Sequence, residues 1–142
     1  NKILLAGNNI LIKVHPKSNW NSKNSLKFFS KKMVNKKLSD VISEYPLFII
    51  DRISQAFFEI AKGKSKILYF YIGRRKIRKE IIKEIKKRAY VVNIDPYNAK
   101  QSVLNYHIKK AINFKIKKSK IMNLACIAKK SGNKKFLKLL KF

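Results

Sequence analysis

Short apolar runs and polar breaks alternate along most of this chain, and the period of each run predicts its element. Residues 10–14, Ile-Leu-Ile-Lys-Val, are nearly continuous in apolar character, the pattern of a strand covered on both faces. They stop at His15-Pro16-Lys17, and residues 17–24 are a Ser- and Asn-rich loop. Residues 25–33 admit a short helix. Leu38, Val41, Ile42 and Tyr45 recur at helical spacing, which predicts a helix over 38–45, with Ser39 available as a cap and Pro46 as its stop. A strand follows over 47–50, then a helix from about residue 53 to 62, broken near Gly63.

The alternation continues. Residues 67–71 read as a third strand, ended by Gly73, and residues 75–89 carry the clearest helical stripe, with Ile77, Ile81 and Ile85 four apart. Glu84 and Arg88 stand in the favoured orientation for an intrahelical ion pair. Residues 90–94 are a fourth strand closed by Asp95-Pro96, and helices are expected over 99–112 and within 119–142. Strands alternating with helices predict an α/β fold: a Rossmann-like parallel sheet with helices on both faces and a helical C-terminal tail. On this reading residues 1–98 form one Rossmann-like domain, truncated at its amino end, and residues 99–142 form a basic helical tail packing on it.

Composition changes this picture in one respect. The 142 residues include 35 Lys+Arg against 7 Asp+Glu, a formal net charge of +28 that attracts polyanions. Two sources remain open. Phosphate recognition is one, but it favours the planar arginine fork, and only Arg52, Arg74, Arg75, Arg78 and Arg88 are arginines. The other is codon usage, since AT-rich codons supply Lys, Ile and Asn together. Cys126 is a lone cysteine, which excludes an intrachain disulfide and fits a reducing, cytoplasmic compartment. No run reaches the ~20 apolar residues of a membrane span.

Candidate chemistry gathers where strands end, because open α/β sheets hold ligands at their carboxyl ends. His15 follows the first strand, is set in extended geometry by Pro16, and has Lys17 beside it, so its imidazole suits a phosphate oxygen or a departing phosphate. Ser54 comes three residues after Asp51, where a helix start offers unpaired N–H groups to an anion. Capping alone also explains a serine there. Glu59, a turn further along, suits a ribose diol, or is simply an exposed helix acid. His107 lies mid-helix and reads as structural.

In order, Ile-Leu-Ile-Lys-Val-His15-Pro16-Lys17, Phe48-Ile-Ile-Asp51-x-x-Ser54, Phe57-Phe58-Glu59-Ile-Ala and Ile67-Leu-Tyr-Phe70 resemble the carboxyl-terminal half of two-domain (GT-B type) glycosyltransferases. The nearest pattern is that of bacterial capsule, lipopolysaccharide and teichoic-acid enzymes with an His-Pro motif, polysialyltransferase-like or glycerophosphotransferase-like. The resemblance covers about residues 8–96. It implies a catalytic His15 on the donor phosphate, with Lys17, Ser54 and Gln55 around that phosphate and Glu59 on the nucleoside ribose.

The resemblance further implies a nucleotide-sugar or CDP-glycerol-like donor, a glycan or polyol acceptor, no metal, and an amino-terminal acceptor domain missing from this chain. The pattern departs in two places. Ser54-Gln55 stands where a hydroxyl pair is usual, and Gly63-Lys64-Ser65-Lys66 replaces a Gly-Lys-Pro turn. The competing expectation is a basic nucleic-acid-binding protein of ribosomal or nucleoid type, using the lysine-rich helices. A third concerns the tail, where Ile121, Leu124, Phe136 and Leu139 among lysines suit an anionic membrane surface or a packed amphipathic helix.

Overall fold

The computed structural model describes residues 12–13, 33–34, 36–73, 76–95 and 97–120. Two short strands, β1 (Ile12–Lys13) and β2 (Met33–Val34), pair in parallel with Ile12 opposite Met33. Met33 is therefore extended, which corrects the end of the short helix read over 25–33. Next comes α1 (Leu38–Val41), then β3 (Leu47–Ile50), α2 (Gln55–Lys62), β4 (Lys66–Tyr71), α3 (Lys79–Arg88), β5 (Tyr90–Asn93) and α4 (Gln101–Ile112).

Strands β3, β4 and β5 form a parallel sheet in that order, with Ile49 opposite Leu68 and Phe70 opposite Val92. The fold is thus α/β, a small open parallel sheet with helices. Side chains of successive strand residues point to opposite faces, so β4 serves two cores. Ile67 and Tyr69 join Phe57 and Ile60 of α2 and Ile81 and Ile85 of α3 in one cluster. Leu68 and Phe70 join Val92, and Leu104, Ile108 and Ala111 of α4, in the other. Ile67 and Leu68 are both fully buried, which is why β4 reads as an uninterrupted apolar run. Each such side chain contributes about 1.5–3 kcal/mol by leaving water.

Several boundaries moved from their expected places. Helix α1 ends at Val41 rather than Tyr45, and its cap position is Lys37, so Ser39 lies inside the first turn, where its hydroxyl donates to Asp40. Helix α3 begins at Lys79 rather than Arg75, since Arg78 is extended (φ −56°, ψ 142°). The expected Glu84–Arg88 pair does not form. Glu84 pairs with Lys87, and Arg88 turns inward. Among the described residues no helix is long and apolar enough to cross a membrane.

Parallel strands joined by α2 and α3 bring the carboxyl ends of both helices to the amino edge of the sheet. Helix α4 ends there too, because Lys66 Nζ, at the start of β4, donates to the Phe114 carbonyl at 2.7 Å. The helix amino ends accordingly gather at the carboxyl edge, beside the strand ends that a ligand would meet.

Candidate functional site

At the carboxyl edge, β3 ends at Ile50 and the chain reverses through residues 51–54 into α2. Ser54 is the residue before the helix, extended at φ −142° and ψ −178°, and its hydroxyl makes no cap hydrogen bond. The Phe58 amide donates to the Ser54 carbonyl at 3.4 Å as the first helical bond. The amides of Gln55, Ala56 and Phe57 precede it and have no acceptor within the helix, as at any helix start. The first turn of α2 carries no acidic residue. A half-buried serine and an uncompensated helix start therefore adjoin the end of a parallel strand.

One turn along, Gln55 Nε2 donates to Glu59 Oε1 at 2.8 Å. The amide holds the carboxylate on the same face of α2 and leaves its second oxygen for another donor. Asp51 lies at the strand end with Arg52 Nε 3.7 Å from its Oδ1, both side chains exposed. Burial pushes the Tyr69 phenol up, with Tyr71 and Asp51 adding to the rise. Ile50 stands opposite Tyr69, which brings Asp51 beside the tyrosine pair of β4, whose ring centroids are 6.1 Å apart.

Further along the same edge is an open depression of about 660 Å³, lined by Tyr71, Ile72 and Gly73 after β4 and by Asn93, Ile94, Asp95 and Tyr97 after β5. Gly73 leaves β4 at φ +74°, a conformation that side chains resist, although a Cβ there would meet nothing within 4 Å. Its role is conformational. Asp95 shapes the other wall: its Oδ1 accepts from the Tyr97 amide at 2.9 Å and its Oδ2 from the Asn98 side chain. Those bonds hold its carboxyl below the usual carboxylate range. Tyr97 is 88% exposed at the rim.

The structure thus sets Ser54, Gln55 and Glu59 on one stretch of chain at and beyond the start of α2, while the depression is lined by other residues of the same edge. His15 and Lys17 lie outside the described residues. His107 has the structural setting expected of it, with Nδ1 3.3 Å from the Tyr90 hydroxyl and its ring against Tyr90 and Tyr106. Among the described residues no group of three or more His, Cys, Asp or Glu side chains converges.

Two features escaped sequence reasoning. The depression was announced only by Gly73 and Asp95-Pro96 closing successive strands. Arg88 was hidden by its neighbour Glu84, although it continues the stripe of Ile81 and Ile85 at core spacing. It is 4% exposed, and its guanidinium donates to the carbonyls of Ala61, Ile60, Gly63 and Ser65. Set against known proteins, the chain matches no protein-family model, no curated protein and no solved structure.

Proposed function

We propose that this chain is the donor-binding half of a glycosyltransferase of bacterial surface-polysaccharide synthesis, built on a Rossmann-like arrangement. In this reading it takes a nucleotide-activated sugar or polyol phosphate at the carboxyl edge of its sheet. The observation that carries it is the start of α2, where the Ser54 hydroxyl is not spent on capping and no acid competes for the helix amino end. A phosphate oxygen is the natural acceptor for that hydroxyl and the amides beyond it. Glu59, held by Gln55, receives a ribose hydroxyl, and His15 and Lys17 are assigned to the same phosphate.

Charge dictates the mechanism. An acceptor hydroxyl attacks the anomeric carbon of a sugar donor, or the distal phosphorus of a polyol-phosphate donor, and loses its proton to a base. The bond from that atom to the nucleotide phosphate oxygen breaks, and the electron pair leaves with the nucleotide. Negative charge grows on that phosphate as the bond lengthens, and fixed donors at a helix start stabilise it without reorganisation. A protonated His15 supplies the remaining proton.

Calorimetric titration with CMP, CDP and UDP tests this reading. One of the three should bind the wild-type chain, Ser54→Ala should weaken it about tenfold through loss of one charge-assisted hydrogen bond, and Glu59→Gln should weaken nucleotides but not inorganic phosphate. Equal, marginal binding of all three nucleotides to wild type and variants would contradict it.

A further inference from the structure

The opposite, amino edge of the sheet carries a second feature. After α4 ends, residues 113–120 cross this edge as a strap from the α4 face to the α3 face. Phe114 is fixed at the start of β4 through Lys66, the Lys117 amide donates to the Lys87 carbonyl at 2.7 Å, and the Ser119 hydroxyl and Lys120 amide donate to Glu84 Oε2 at 2.9 and 2.8 Å. Ser119 is 3% exposed. Lys115, Lys117, Lys118 and Lys120 are all exposed along the strap.

The last turns of α2, α3 and α4 already carry Lys62, Lys86 and Lys109, as helix carboxyl ends favour. The four strap lysines add further positive charge at the same edge. Glu84 is the carboxylate beneath the strap, already bonded to Lys87, Ser119 and Lys120. Between the lysines, Ile112 and Ile116 remain 51% and 37% exposed.

We infer that this strap and the end of α4 dock onto an anionic lipid bilayer, the lysines meeting headgroup phosphates and the two isoleucines entering the interface. Lysines interleaved with exposed aliphatic side chains match that environment. A single-stranded nucleic acid would add base stacking on exposed aromatic rings, and the strap's aromatic, Phe114, packs against Tyr90 instead. The inference stands independently of nucleotide binding, which concerns the other edge.

The test is flotation of the full chain with phosphatidylcholine vesicles, with and without 30% phosphatidylglycerol, at about 0.15 M salt, where a surface charge acts over about 8 Å. Wild type should float with the anionic vesicles only. Lys115→Glu/Lys117→Glu/Lys118→Glu should bind about thirtyfold more weakly or worse, while Lys76→Glu/Lys79→Glu/Lys100→Glu, with the same change in charge at the other edge, should stay within about threefold of wild type. Ile112→Ser/Ile116→Ser should weaken binding about fivefold or more, leaving oligonucleotide binding unchanged. Equal losses for the two lysine triples would overturn the inference. So would wild type failing to float, or a strap triple that loses a single-stranded oligonucleotide but keeps its vesicles.

Discussion

Arg88 Nε, in the last turn of α3, donates to the Ala61 carbonyl in the last turn of α2 at 2.9 Å. Its Nη2 reaches the carbonyls of Ile60, Gly63 and Ser65 at 3.2, 2.8 and 3.0 Å. One cation thereby satisfies the carboxyl end of a neighbouring helix and fixes the turn that launches β4. The negative end of the α2 dipole supplies the compensation that a buried charge requires.

Replacing Arg88 by Met keeps its volume but leaves those carbonyls without their donor. Arg88→Met should cost about 3 kcal/mol of stability, and Arg88→Lys should recover only part because an ammonium lacks the fork. Urea unfolding measures both. A loss below about 1 kcal/mol for Arg88→Met would mean that the carbonyls find other donors.

Glu84 ties the strap to α3, and its bonds to Lys87 and Ser119, foremost, draw its pKa down from the ordinary 4.5 to about 2. A carboxyl that releases its proton more readily when folded stabilises the fold fully above about pH 4.5 and ceases to as pH falls through about 2. Wild type should therefore lose more stability than Glu84→Gln between those limits, and the Gln variant should exchange the Lys120 amide faster. Parallel pH profiles in urea melts would contradict the assignment.

Ala111 is fully buried where α4 lies against Leu68 and Phe70. Ala111→Leu adds three carbons to a filled space, so it should destabilise by about 1–3 kcal/mol, whereas Ile112→Leu, half-exposed on the next position, should stay within about 0.5 kcal/mol. Thermal unfolding of the pair checks how closely the second face is packed.

Gly73 is free of steric neighbours, so its substitutions report backbone strain alone. Gly73→Ala should cost about 1 kcal/mol, Gly73→Asn less, and Gly73→Val more, following each residue's tolerance of positive φ. Equal effects for the three would show that the turn relaxes instead.

The sheet was legible because its signals are local. Pro46 and Asp51 bracket Leu47–Ile50, and apolar runs between such breakers left little choice of strand. The helix faces were legible from the spacing of Ile81 and Ile85. What escaped was tertiary. Nothing within α3 says that Arg88 will prefer four carbonyls at the end of α2 and in the turn after it to a carboxylate one turn away, or that Glu84 will wait for Ser119, 35 residues on. At the site, a helix start near Ser54 was readable from Asp51 and the apolar run after it, although α2 begins at Gln55 rather than at about residue 53. That its hydroxyl stays out of the cap was not, since a serine at that position ordinarily caps.

The central claim is that a nucleotide phosphate settles at the start of α2. Amide chemical-shift titration of the labelled chain with whichever of CMP, CDP and UDP binds tests it most directly. The account predicts saturable shifts concentrated at Gln55, Ala56 and Phe57, reached at about tenfold higher nucleotide in Ser54→Ala and absent with the matching nucleoside. Shifts scattered over the lysine-rich helices, scaling with phosphate charge alone and indifferent to Ser54→Ala, would contradict it.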